Sequence, residues 1–334
     1  MSAMCANGKL IDILIRIFAV IRSARRCAGA ILLCGTMVWI TAAGTATADT
    51  SYTLTHQEIE RRYELHLPPD PAAPTPKALV VSLHGKGQSI EGIRRWLRFE
   101  PVADREGFAI AYPEALDGRW SYGRPTVDPM PRVGDRPADD VGFIAAIITE
   151  LVSQGIADAD RVYVAGASRG GLMTFTIACA LSEQIAAAAP LITGMTDLQR
   201  DDCRPALPVP LLVLAGTSDF VQRYDGWLLR HGRLLSVPET MEYWRNLHGC
   251  TGQKSAPLPH LNPFDRTGVG VVRWTGCRSN DEPLRLYRIF GGGHTLPSLA
   301  PAKPGPPGKF GRRNRDIETA EVLWAFFRDR RLAR

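Results

Sequence analysis

The sequence has no Cys/His spacing that resembles a zinc site, no basic stripe interleaved with aromatic residues, no internal repeat, and no composition break after residue 48. Each absence removes a class of function. Without clustered ligands no metal is expected, and no cofactor either. Without a basic stripe no nucleic-acid partner is expected. The formal charge of +6 is misleading here, because Lys9, Arg16, Arg22, Arg25 and Arg26 face only Asp12 in the amino-terminal region, and the rest is near neutral. Long hydrophobic runs are also missing. The stretches 10–21 and 28–40 both fall short of the ~20 uninterrupted apolar residues of a spanning helix. No stable membrane span is therefore expected once a leader is removed, and 49–334 reads as a single domain.

What is present at the amino terminus looks like an export signal over 1–48. Arg22, Arg25 and Arg26 precede the apolar run 28–40, and Ala46-Thr47-Ala48 supplies a small-x-small cleavage site before Asp49. A lipoprotein box at Cys34 fits poorly, because Leu33 stands where a small residue is needed. A secreted protein, extracellular or periplasmic, is the expectation. Cysteine usage agrees. Cys5, Cys27 and Cys34 belong to the leader, and Cys179, Cys203, Cys250 and Cys277 remain. An even number in an oxidising compartment suggests two bridges, with three possible pairings. Cys250–Cys277, closing a Gly/Pro-rich excursion, together with Cys179–Cys203 is the favoured one; free buried thiols are the alternative.

Strand and helix patterns alternate. Apolar or alternating runs at 63–67, 78–83, 108–112, 161–165, 186–192, 210–215 and 284–290 read as strands. Helical spacing appears at 141–151, with Asp139 or Asp140 as cap, and at 316–327. The expected fold class is α/β, a mostly parallel central sheet with helices on both faces. Three stretches rich in Pro, Gly and charge (122–137, 253–270 and 301–315) do not fit the repeating unit. Such insertions often rise above the carboxyl ends of the strands and shape a cleft; plain surface loops are the alternative.

The sharpest motif is Gly166-Ala167-Ser168-Arg169-Gly170, set between the run 161–165 and a helical pattern beginning at Gly171. A G-x-S-x-G between strand and helix is the nucleophile elbow of α/β-hydrolases, and it makes Ser168 the candidate nucleophile. A serine hydroxyl needs a base to take its proton. His294, in Gly291-Gly292-Gly293-His294 after the strand at 284–290, is that candidate. Asp219 follows the strand at 210–215 and completes the chain order Ser, Asp, His; Asp225 and Asp197 are rivals. The oxyanion needs backbone N–H donors. Arg169, next to the nucleophile, and Lys86, in His84-Gly85-Lys86-Gly87-Gln88, are the candidates.

Several strings carry a family resemblance. Leu83 to Gln88 resembles L-H-G-x-G-Q, Asp139 to Ile144 D-D-V-G-F-I, Arg161 to Met173 R-V-Y-V-x-G-x-S-x-G-G-x-M, and Gly292 to Thr295 G-G-H-T; Tyr243-Trp244 with Asn246 and Cys250 resembles Y-W…N-x-C. Over about 63–328 the chain resembles the polyhydroxybutyrate depolymerase-like and feruloyl-esterase-like secreted esterases. The resemblance implies a serine carboxylesterase with Ser168, Asp219 and His294 as triad, acting on short-chain, hydroxyacyl or hydroxycinnamoyl esters. A serine peptidase of the same fold and a catalytically idle binding protein are the competing readings. The chain departs from the family at Leu296-Pro297-Ser298 and at Val221-Gln222-Arg223-Tyr224, positions expected to border the cleft. Trp120, His84 and Tyr224 are the candidate substrate contacts, with core packing the alternative for Trp120.

Overall fold

The computed structural model describes residues 50–70, 75–123, 130–278, 282–301 and 308–332. The expected leader, with its cleavage site and Cys34, lies outside the described residues. Ten strands form one sheet: β1 (Thr50–His56), β2 (Ile59–His66), β3 (Lys77–Leu83), β4 (Ala109–Pro113), β5 (Ala157–Ala167), β6 (Ala187–Leu191), β7 (Leu211–Gly216), β8 (Gly252–Pro257), β9 (Gly268–Thr275) and β10 (Leu284–Phe290). Their order is β1-β2-β4-β3-β5-β6-β7-β10-β9-β8. The six strands from β4 to β10 run parallel, and an antiparallel pair lies at each edge.

The parallel centre follows from the apolar runs. β3 is buried along its whole length. Leu79, Val81 and Leu83 enter one core, while Ala78 and Val80 enter the other. Helices α3 (Asp140–Ser153), α4 (Arg169–Ala180) and α6 (Val237–His248) cover the first face through residues such as Phe143, Phe175 and Trp244. Helices α1 (Ile90–Leu97), α2 (Glu100–Glu106) and α7 (Thr319–Phe327) cover the second through Ile93, Val102 and Phe327. The short α5 (Asp197–Asp202) follows β6. Helix starts match their capping chemistry. Asp139 accepts from Gly142 N ahead of α3, and Ser236 with Glu239 forms a capping box ahead of α6. The described residues form one compact unit.

Three expectations need correction. The stretch 253–270 is no cleft insertion: it holds most of β8, the start of β9 and the connection between them, and the two strands extend the sheet as an antiparallel hairpin. β8 is almost fully exposed, so its polar, Pro-ended sequence is that of an edge strand without a buried face. β1 was not expected either. Its two-residue turn to β2 uses Gln57 and Glu58, both with positive φ (53° and 66°), where glycine or asparagine is the usual signal. The last helix begins at Thr319 and not at 316, because the Asp316 carboxylate is engaged by His260, Leu261 N and Asn262 N. Both favoured disulfides are present, Cys179–Cys203 and Cys250–Cys277.

Candidate active site

The carboxyl ends of β5, β7 and β10 bring the three sequence-selected side chains together. β5 runs directly into Ser168, whose backbone sits at φ 58°, ψ −117°, and α4 starts at the next residue. That conformation is strained for a non-glycine residue and aims the hydroxyl off the end of the sheet. The turn is possible only because its neighbours lack side chains. A Cβ at Gly166 would lie 2.3 Å from Gly170 O, and one at Gly170 would lie 2.4 Å from Leu83 O.

The loops after β7 and β10 are tied to each other. Ser218 N donates to Gly292 O (2.9 Å), and Gly291 N donates to Thr217 Oγ1 (2.9 Å). His294 N donates to Phe310 O at 2.7 Å, so the segment around 310 also fixes the imidazole's backbone. His294 Nδ1 lies 2.7 Å from Asp219 Oδ2, and Nε2 lies 2.9 Å from Ser168 Oγ. An ionised carboxylate can only accept, so Nδ1 carries the proton and Nε2 is the acceptor facing the serine hydroxyl. The other Asp219 oxygen accepts from Val221 N and Gln222 N, both at 2.8 Å. Asp197, one rival acid, instead accepts from Leu198 N and Arg233 N.

Ser168 and His294 open onto a cavity of about 430 Å³ that Lys86 and Arg169 also line. Gly87, at φ +66°, turns the loop carrying Lys86 back toward the elbow. The three candidate substrate contacts are not at this cavity. His84 and Trp120 are fully buried: His84 Nδ1 donates to Gly85 O, its Nε2 accepts from Ala115 N, and Trp120 Nε1 donates to His84 O. Burial pushes the His84 pKa down, which fits that neutral tautomer. Tyr224 is buried with its hydroxyl accepting from Arg288 Nε at 2.9 Å. All three support the loops behind the cavity.

The walls that sequence reasoning missed are aromatic. Trp96, Phe220, Trp227 and Phe310 line the cavity, with Tyr122 and Leu234 deeper in. Phe220 directly follows Asp219, which was the one available signal. Trp227 belongs to a small ribbon, 227–228 paired with 233–234, too short to carry periodicity. Of the two departures from the family pattern, Val221 and Gln222 border the cavity, whereas Leu296 and Ser298 are buried elsewhere. Behind Tyr122, Asp140 receives Arg61 Nη2 (2.7 Å) and Ser121 N (2.6 Å) in a fully buried pair. Burial raises the Asp140 pKa, and Arg61 opposes that rise. Among the described residues no group of three His, Cys, Asp or Glu could hold a metal ion, and no helix is long and apolar enough to cross a membrane.

The sheet order, the strained serine and the hydrogen-bonded Ser–His–Asp geometry define a class, the serine hydrolases of α/β-hydrolase fold. The model of the family described as "Esterase PHB depolymerase" matches residues 61–198. A Nocardia uniformis subsp. tsuyamanensis protein named "Putative esterase NocK" is 30% identical over 281 residues, covering 80% of this chain and 78% of that protein. The chain belongs to this esterase family and is a hydrolase of carboxylic ester bonds. Feruloyl esterase B of Piromyces equi is 29% identical over 67% of this chain, which spans only 40% of that protein's length. Among solved structures, acetyl xylan esterase from Aspergillus awamori shares the fold, with a TM-score of 0.54 at 15% identity over 74% of this chain and 94% of that one.

Proposed function

We propose that the esterase works through an acyl-enzyme on Ser168, with His294 as base and acid and Asp219 holding the imidazole. The observation that carries this reading is the unbroken hydrogen-bond chain Ser168 Oγ–His294 Nε2 and His294 Nδ1–Asp219 Oδ2, at 2.9 and 2.7 Å. Ser168 Oγ attacks the ester carbonyl as His294 Nε2 takes its proton. The Arg169 and Lys86 N–H groups receive the oxyanion, which a helix start and a glycine-turned loop support. His294 then protonates the leaving alcohol, and a water deprotonated by the same nitrogen releases the acid. The acyl groups proposed are short-chain, hydroxyacyl or hydroxycinnamoyl; a cavity of about 430 Å³ with aromatic walls supports them. Export, with 1–48 as leader and 49–334 as catalytic domain, is proposed with support from the two disulfides.

The test is Ser168→Ala. p-Nitrophenyl butyrate hydrolysis falls on the order of 10⁶-fold while the melting curve is retained. A fluorophosphonate labels Ser168 of the wild type stoichiometrically. Unchanged turnover in the variant, or labelling at another residue, removes the assignment.

A further inference from the structure

Nine large apolar side chains are exposed among the described residues, and eight of them lie on segments that leave the carboxyl ends of β7 and β10 or join β8 to β9. Phe220, Trp227 and Leu228 follow β7, while Phe290 ends β10 and Leu299 and Phe310 follow it. Leu261 and Phe264, 63% and 92% exposed, sit on the β8–β9 connection. Gly268 at the start of β9 pairs with Phe290, which puts that connection at the carboxyl end of β10. The ninth, Leu67, follows β2, which runs antiparallel to β4 and so ends on the opposite side. Hydrogen bonds tie these segments into one rim. Leu261 N and Asn262 N donate to Asp316 Oδ1 (2.6 and 3.2 Å), Arg315 N donates to Asp265 Oδ2 (3.0 Å), and Ser298 N donates to Asn314 O (3.1 Å). Within the connection, Thr267 N donates to Asp265 Oδ1 (2.8 Å) and Phe264 N to Asn262 Oδ1 (3.3 Å). Phe264 is thus displayed on an already ordered loop, which lowers the entropic cost of contact.

We propose that this rim docks the protein on an anionic phospholipid surface, with Leu261 and Phe264 as its anchors. Charge selects the partner. The described residues of the rim (217–232, 258–267, 290–301 and 308–313) hold five exposed cations, Arg223, Arg230, Arg266, Lys309 and Arg312, against one exposed carboxylate, Asp225. Apolar side chains interspersed with Arg and Lys match a lipid interface, where the former enter the acyl boundary and the latter meet phosphates. A second copy of the chain would set the same five cations against themselves across a two-fold interface. A neutral polymer would leave them without a counter-charge. Leu261, Phe264 and Arg266 lie outside the catalytic cavity, so docking is separable from ester cleavage and does not depend on the acyl-enzyme reading.

Co-sedimentation of the exported protein with phosphatidylcholine vesicles, with and without about one-third phosphatidylglycerol, is the test. Binding to the anionic vesicles is about tenfold tighter than to the neutral ones and weakens as salt is raised. Leu261→Ser with Phe264→Ser, and separately Arg230→Gln with Arg266→Gln, each weaken it about tenfold. Both variants keep the wild-type melting curve and p-nitrophenyl butyrate turnover, since none of the four side chains lines the cavity. Ser168→Ala binds vesicles like the wild type, which keeps the docking result apart from the fate of the acyl-enzyme. Equal binding to both kinds of vesicle, or binding undiminished in either variant, overturns the lipid assignment. A dimer that the Leu261/Phe264 variant dissolves overturns it in favour of a second copy. Adsorption to a neutral polyester film without vesicle binding overturns it in favour of a polymer surface.

Discussion

Gly170 shows how much of the site depends on atoms that are missing. Its Cβ would meet two backbone oxygens, Leu83 O at 2.4 Å and His84 O at 2.6 Å. Neither belongs to a flexible side chain, so Gly170→Ala must push the start of α4 away from β3 or displace the 84–88 loop. Overpacking of this kind typically costs about 1–3 kcal/mol. The stability loss should be accompanied by a larger loss of turnover, since Lys86 follows His84 by two residues and Ser168 precedes Gly170 by two. A urea midpoint and kcat/KM on p-nitrophenyl butyrate, measured on the same preparation, check both halves. A variant that melts like the wild type and keeps full turnover would show that the close approach is not needed. The same scale explains why His84 looked like a site residue. A histidine at a strand end beside glycines fits substrate contact as well as it fits what the structure shows, a buried linker that receives Ala115 N and whose carbonyl receives Trp120 Nε1.

At the scale of elements, α6 contributes a pH dependence. His248 ends the helix buried against the segment before β7, with Nε2 donating to Val209 O at 3.0 Å. Burial is the main cause of its pKa falling to about 4 from 6.5, with the bond to Val209 O opposing that fall. The neutral ring is favoured in the folded state, while the unfolded chain takes up a proton near pH 6.5. The stabilisation is therefore complete above pH 6.5 and is lost as the pH falls toward about 4. The melting temperature should drop between pH 7 and pH 5. His248→Gln, whose amide can still donate to Val209 O but does not titrate, should shrink that drop; an equal drop in both proteins removes the explanation. Elements also mark the limit of what could be read from sequence. The central strands and the Ser, Asp and His positions were legible because full burial and a sharp strand-to-helix turn restrict residue choice. The exposed edge strand β8, the β1–β2 turn and the 227–234 ribbon were not, because exposed or very short elements impose almost no pattern. Two of the aromatic wall residues fell in similarly poorly patterned places, Trp227 in the ribbon and Phe310 in a loop.

Across the whole molecule, both bridges lie along one core. Cys203 and Cys250 are buried in the cluster under α3, α4 and α6, and Cys179 and Cys277 pack against it. They do different jobs. Cys179–Cys203 joins the end of α4, the helix that follows Ser168, to the end of α5, whereas Cys250–Cys277 closes the β8–β9 hairpin at the sheet edge. The separations, 24 and 27 residues, are similar, so loop entropy assigns each about 3–4 kcal/mol. Stability alone would therefore not distinguish them, but activity should. In the oxidised protein, Cys250→Ala with Cys277→Ala lowers the urea midpoint yet leaves turnover of p-nitrophenyl butyrate at 25 °C unchanged, because no residue of that hairpin reaches the cavity. If turnover fell together with the midpoint, the sheet edge would be coupled to the catalytic loops through β10, which pairs with β9 on one side and leads into His294 on the other.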